Sequence, residues 1–419
     1  MTQGSSTVTN PIATPDQFAA EADVRAMRSD PRSDAVRNQI AKYFEIGYGS
    51  RLPEEMRPML GDLADEFLTN WFFKGAASDS QHPRLVRNFM PAHECHGTSV
   101  PGARTGGDNP DNCYRLAGIE HGTHYRLTGR AVGRKPANIS FTLANNFGTS
   151  QTVAILEDHQ LAWKDDGTFI IEIDDLPKGE RENHLLTAPG NKFLFIRDSM
   201  MDWGVETPFE LTIERLTPAK ALPIDRDEMF ARATRHALRD VFQYFWFQNM
   251  VSSIAVNTIA PARPLASSGV GMSTQGTSSG HFHLGPDDAA ILTWDPASAG
   301  YAAVELTDWL YRSLNYQDIQ SSLTAAQAHI DDDGLVRTVI ARRDPGVWNW
   351  LDTGGYANVL MILRWQAMQP EGRPIFASVQ MTTLDDLRGQ LPPQTRWISE
   401  REREEQLAGR RAAYQRRIT

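Results

Sequence analysis

The sequence predicts a mainly β protein: two jelly-roll-like antiparallel β units with an N-terminal helical region, a buried linker helix and a C-terminal helix. Three observations carry this. Short segments rich in β-branched and aromatic residues, at 114–119, 124–132, 138–144, 153–156, 168–173 and 192–196, are separated by Gly, Asn and Asp turns at the intervals of a sandwich or barrel. A second set of such segments begins near His281 and ends at Trp365. Between the sets, Phe230, Ala233, Ala237, Val241 and Phe245 recur at helical spacing, and Phe242, Tyr244, Trp246 and Phe247 leave the end of that helix with hardly any polar side, as a buried helix requires.

The implied organisation is a disordered 1–13, a helical region 14–88, a first β unit 89–224, a linker helix within 225–260, a second β unit 261–398 and a C-terminal helix 399–419. A length of 419 residues fits two or three domains, and 41% hydrophobic residues suffice for real cores. The formal net charge of -10 excludes a nucleic-acid binder, because nothing assembles the basic face that phosphates require. The first residues lack the basic and apolar regions of a secretory signal, and no apolar run reaches the length of a membrane span, so a cytoplasmic protein with no membrane partner is expected. Cys95 and Cys113 are too few for a disulfide framework and read as free thiols. A homo-oligomer is compatible with this composition.

The helical elements are signalled locally. Thr14, Pro15 and Gln17 form a capping box that opens a helix. A second helix covers about 32–44, and Met56, Leu60, Leu63, Phe67 and Trp71 give a third, over 53–73, an apolar stripe. Asp225 and Glu228 cap the linker helix. Residues 302–310 are compatible with helix or strand. Residues 261–280 carry no periodicity and many Gly and Ser, which marks a lid or binding loop. From Ser399 onward, a capping box and alternating Glu and Arg predict a solvated helix.

Three segments carry a family likeness. They are DPGVWNWLDTGG with the strand ending Arg364-Trp365, GDNPDNCYRLAGIEHGTHYRLTGR at 107–130, and Arg197-Asp198-x3-Asp202-Trp203-x2-Glu206. Together these resemble the bacterial family of domain of unknown function 1214, over about 106–365. The resemblance implies a β-rich, jelly-roll-like fold with helical insertions, and no particular reaction.

Candidate chemistry centres on His281 and His283. On a strand, alternate side chains share a face, so the two imidazoles can converge on one point. The resembling family more often carries Tyr-Phe-Asp-Leu-like residues there. Arg197 sits beside Asp202 and Glu206 and can stabilise developing negative charge. Arg364, on an apolar strand, needs a carboxylate such as Asp352 or Asp344. Tyr114, Trp203, Trp348 and Trp350, with Arg364, are the candidates for holding a substrate.

These features point to a cofactor-independent enzyme of lyase, dehydratase or isomerase type, acting on a small hydrophobic or aromatic metabolite, with His281 and His283 as base and acid. A carbohydrate-binding or assembly module, and a metal-dependent enzyme using the His-x-His pair, are the alternatives. His93, Cys95, His96 and Cys113 are metal-capable but lack zinc-site spacing. Gly276-Thr277-Ser278-Ser279-Gly280 matches a nucleophile elbow only in its letters, His121 and His124 belong to a turn, and no dinucleotide or phosphate-binding loop is present.

Overall fold

The computed structural model describes residues 10–145, 152–264, 275–296, 299–368 and 374–418. Two β sandwiches are set face to face, with helices filling the space along their junction. In the first, Val86–Asn88, Asn112–Gly118, Phe193–Ser199, Asn138–Ala144 and Thr152–Glu157 form one antiparallel sheet in that order. Glu210–Arg215, Tyr125–Arg130, Thr168–Asp174 and His184–Leu186 form the other, the last pair running parallel. In the second, Gly276–His283, Asn358–Met368, Ala299–Asp308 and Ser322–Thr324 face a sheet of Trp350–Asp352, Val336–Ala341, Asp288–Trp294 and Ala377–Thr383. Residues 302–308 therefore belong to a strand; residues 265–274 of the expected lid lie outside the described residues, and 276–280 are strand.

The strand Phe193–Ser199 shows how sequence becomes packing. Its alternation sends Leu194 and Ile196 into the first sandwich, against Phe141, Leu127 and Phe169. Phe193 and Phe195 go to the opposite face and join a different core, shared with the helices. In the second unit Met361 and Leu363 enter the sandwich, while Leu360 and Ile362 point to that same shared core.

The shared core is built on α3 (Leu60–Ala76) and α4 (Arg226–Ser252), with α1 (Pro15–Arg28) and α2 (Pro31–Tyr48) against them. Thr14 caps α1 by accepting the Gln17 N–H (3.1 Å), but the Gln17 side chain turns away to Arg87 and Glu21, so only half of the expected capping box forms. At Gly75 a Cβ would stand 2.8 Å from the Met229 carbonyl oxygen, so glycine is what lets α3 and α4 approach. On α4, Tyr244, Gln248 and Val251 are buried, whereas Phe242 and Trp246 stand exposed.

The C-terminal helix (Glu400–Ile418) departs from the solvated helix that its charges predict. Arg403, Arg410 and Arg417, seven residues apart on one face, are buried. Arg410 donates to the Tyr316 carbonyl (2.5 Å) and to Ser322 Oγ (2.6 Å) in the second unit, while its guanidinium lies over the Trp203 ring (4.2 Å) of the first. Arg417 also covers Trp203 and donates to the Pro110 carbonyl. Arginine can make this substitution of carbonyls and an aromatic face for water because its planar charge is weakly hydrated. The helix clasps the two sandwiches together.

Candidate functional site

Between the facing sheets, and walled by α3 and α4, lies a cavity of about 620 Å³, within the roughly 300–1,000 Å³ of small-molecule sites. Its walls are aromatic: Trp71 and Phe89 on one side, Tyr114 stacked on Phe195 (5.5 Å) on the first sandwich, Tyr244 and Phe247 from α4, and Tyr311 from the second unit. Trp246, 57% exposed, stands at the mouth. Phe89 and Tyr311 hold positive φ values of 55° and 68°, two of the five non-glycine residues in that region among the described residues. Such backbone costs on the order of 1–3 kcal/mol and concentrates at functional sites.

The Gly106-Gly107-Asp108 turn sets the floor. Gly107 has φ +68°, and a Cβ there would sit 2.6 Å from the Tyr311 ring, so both backbone and space demand glycine. Its N–H donates to the Tyr311 carbonyl (2.9 Å) and its carbonyl accepts from Arg364 (2.7 Å), which ties the first unit to the second. The next residues continue the tie: Tyr301 donates to Asp111 (2.6 Å) and accepts from Asn109 (2.8 Å).

Four charged side chains on this lining matter for chemistry. Asp108 accepts from the Ser313 N–H (3.1 Å) and Oγ–H (2.7 Å); burial pushes its carboxyl up to about 6 against these bonds. Lys74, from α3, places its ammonium 4.2 Å from the Trp71 ring centre and 5.6 Å from that of Phe89. Burial pushes it down to about 8, partly opposed by Asp240. Asp240, from α4, is 7% exposed; one oxygen accepts from Arg239 (2.9 Å) and the other, Oδ2, is buried without a hydrogen-bond partner.

Arg197 is the fourth. It lies over the Phe195 ring (4.3 Å) and donates weakly to Thr142 Oγ1 (3.3 Å), and among the described residues no carboxylate comes within ion-pair distance of it. Burial and the neighbouring Arg364 charge depress its pKa, while Tyr114 and Glu157 work the other way. Arg364 lines the same cavity but ends on Glu305 of the adjacent strand, whose carboxyl burial pushes up to about 8 against the pull of Arg364. Burial opposes its charge, yet Glu305 and the surrounding tyrosines hold its pKa above the ordinary arginine value.

Of the residues singled out in the sequence, Arg197, Tyr114 and Arg364 meet here. The partners differ from expectation: Arg364 pairs with Glu305 rather than Asp352 or Asp344, and Asp202 and Glu206 bond to backbone N–H groups and leave Arg197 alone. His281 and His283 do share the sheet face that carries Thr277 and Ser279 into the cavity, but they lie beyond it and line none of it. His281 is buried beneath the end of α4, its pKa lowered by burial with the backbone of Ile254 and Ser252 working the other way, and neither ring nitrogen makes a hydrogen bond among the described residues. His283 is exposed and contacts Asn358 (2.9 Å).

The tryptophans part company with the cavity altogether. Trp350 belongs to a core on the outer face of the sheet Trp350–Asp352/Val336–Ala341, and donates to the Ala341 carbonyl (3.0 Å). Trp348, on the same connection, donates to the Gln327 carbonyl (2.9 Å) under the Arg396 guanidinium (3.6 Å). A whole sandwich separates both from the cavity, so the expected convergence of histidines and tryptophan loop on one chamber does not occur. Trp203 is 1% exposed, held by Asp111 (2.8 Å) and two arginines, and serves the clasp. Cys95 and Cys113 are free, as expected. Among the described residues, no three His, Cys, Asp or Glu side chains are placed to share a metal ion, and no helix is long and apolar enough to cross a membrane.

Sequence reasoning passed over Lys74, Asp108 and Asp240. One signal was available: Lys74 is the lone charge in the run Trp71-Phe72-Phe73-Lys74-Gly75-Ala76, on a helix buried on nearly every side.

No family model matches the chain, and no curated protein matches it. The chain is similar in structure to an uncharacterized protein from Burkholderia cenocepacia, with a TM-score of 0.69 and 23% identity over 86% of this chain and 99% of that chain. At that identity the likeness extends to the fold alone. A Vibrio parahaemolyticus protein matches with a TM-score of 0.37 and 9% identity, over 65% of this chain and 90% of that one.

Proposed function

We propose that the protein is an enzyme of lyase or isomerase type that acts on a small, largely apolar molecule carrying a carboxylate, bound in the cavity between the sandwiches. The observation that supports this is Arg197, a cation facing an aromatic-walled cavity with no carboxylate of its own among the described residues. A half-buried guanidinium without a counter-charge is costly, and a ligand carboxylate that accepts its fork of donors reduces the cost. The aromatic walls supply affinity for the rest of the molecule.

With His281 and His283 outside the cavity, acid/base work falls to Asp108, whose carboxyl titrates near 6 on the cavity floor. A group poised near neutrality can both take and return a proton, which is the requirement of isomerisation and elimination. The reading is tested by thermal shift and calorimetry with small aromatic and alkyl carboxylates, each paired with its neutral amide. The carboxylates should bind at least about tenfold more tightly, and Arg197→Gln should erase that margin, as loss of a charged hydrogen bond does. Amides that bind as well as acids would overturn the reading.

A further inference from the structure

We propose that Lys74 is a nucleophilic catalytic residue, whose amine condenses with a carbonyl carbon of the ligand to form a Schiff base inside the cavity. The inference rests on the ligand site described above and adds to it a covalent chemistry and a substrate class: an aldehyde or ketone bearing an acidic group.

Of the seven lysines in the chain, Lys42, Lys135, Lys164, Lys178, Lys192 and Lys220 are exposed; Lys74 alone is not. It is held in place by rings, between Trp71 and Phe89, with no carboxylate within ion-pair distance among the described residues. A structural lysine in so apolar a place would be expected to end on a carboxylate or carbonyl, since its solvation must be replaced. An amine left facing an empty volume is instead available to a ligand.

The second observation is on the opposite helix. Asp240 faces the same cavity with Oδ2 buried and unpartnered, close enough for its charge to act on the amine without touching it. An unsatisfied buried carboxylate oxygen calls for a proton donor, and the intermediates of amine condensation supply one. His236, stacked on Trp71 at 5.7 Å, is the other titratable group of α4 near the amine.

The step balances. The Lys74 ammonium gives one proton, relayed through solvent in the cavity, to Asp240; the amine lone pair attacks the carbonyl carbon, the C=O π pair moves onto oxygen, and one proton of the attacking nitrogen passes to that oxygen to give the carbinolamine. Return of the proton from Asp240 to that hydroxyl lets it leave as water while the nitrogen lone pair closes the C=N bond. The net change is an ammonium and a carbonyl giving a protonated imine and one water. The product iminium is an electron sink adjacent to the substrate's α carbon, and Arg197 would hold the acidic end. The depressed pKa of Lys74 agrees with this use, since at about 8 roughly a tenth of the amine is neutral at pH 7, against about one part in three thousand for an ordinary lysine.

The test uses the full chain at pH 7.5, incubated with 4-carboxybenzaldehyde or benzaldehyde and sodium cyanoborohydride, with adducts mapped by peptide mass spectrometry. Lys74 should be reduced to the secondary amine at least about tenfold faster than any of the six exposed lysines, and benzoate should protect it. Lys74→Arg, with an unchanged melting temperature, should lose that fast adduct. Labelling of Lys74 no faster than the exposed lysines would overturn the inference. Should benzoate bind in an Arg197-dependent way while Lys74 stays unlabelled, the carboxylate site stands and only the covalent step falls. Fast labelling of Lys74 by both aldehydes equally would retain the amine chemistry and remove the acidic group from the substrate.

Discussion

Replacing Asp108 by Asn should make the protein more stable at neutral pH and less active. Asp108 is 4% exposed, and its carboxyl titrates at about 6 in the folded chain against an ordinary value of 3.8. A raised carboxyl pKa means that the folded state binds the proton more tightly than the unfolded one. The contribution to stability is therefore full below about pH 4 and is lost as pH rises through 6. Two pKa units correspond to about 3 kcal/mol at roughly 1.4 kcal/mol per unit. Asparagine keeps the oxygen that accepts the Ser313 N–H and can donate to Ser313 Oγ in place of accepting from it, and it carries no charge to desolvate. Urea denaturation of both proteins at pH 4.5 and pH 7.5 gives the double difference. The Asn protein should gain about 2 kcal/mol relative to the parent between the two conditions, since pH 4.5 already lies above the unfolded pKa. A stability difference that does not change with pH would refute the assignment of the perturbed titration to Asp108. The gain should be accompanied by lost turnover, because a group kept at an energetic cost in a ligand cavity is kept for its chemistry.

Trp203→Ala should cost about 3–5 kcal/mol by chemical denaturation, the range for a large aromatic removed from a closed core, and Trp203→Phe less, with the loss confined to the Asp111 hydrogen bond and the two arginine contacts. Arg410→Met should loosen the clasp, and limited proteolysis should then release a fragment beginning near residue 400, which the parent protein resists. His283→Ala should leave both the melting temperature and carboxylate binding unchanged, since the imidazole is exposed and outside the cavity; a tenfold weaker affinity would return the histidines to the site.

The strands and helices were legible because each has a local cause. Alternation and Gly, Asn and Asp turns located six strands between 112 and 199 to within a few residues but missed the three-residue strand His184–Leu186, and apolar stripes located α3 and α4. The C-terminal helix was misread for an equally physical reason. Charge composition says that a face is solvated only when no partner covers it, and the partners here are distant in the chain: Asp344 and the Val347 carbonyl for Arg403, the Tyr316 carbonyl for Arg410, the Pro110 carbonyl for Arg417, and the Trp203 ring for the last two. The arginines' seven-residue spacing was the available clue. The expectation for Trp348 and Trp350 failed differently: they were expected to hold a substrate, but sequence does not say which face of a sandwich a loop covers.

The cavity itself had a signature spread over two distant strands. A strand with one face in a sandwich and the other in water alternates, whereas Phe193-Leu194-Phe195-Ile196 and Val359-Leu360-Met361-Ile362-Leu363 do not alternate at all. Both faces of both strands must then be covered, which for two separate sandwiches means that something lies between them. In each run the apolar stretch is interrupted by an arginine, Arg197 and Arg364, and in the folded chain each arginine is half-buried where the residues before it are buried. A charge at such a position has two solutions, a carboxylate from a neighbouring strand or an opening that admits solvent and ligand. Arg364 takes the first, through Glu305, and Arg197 takes the second. The difference between two arginines on facing sheets thus marks the place proposed for a ligand's charge, and it follows from strand periodicity and the cost of an uncompensated cation without any appeal to motif.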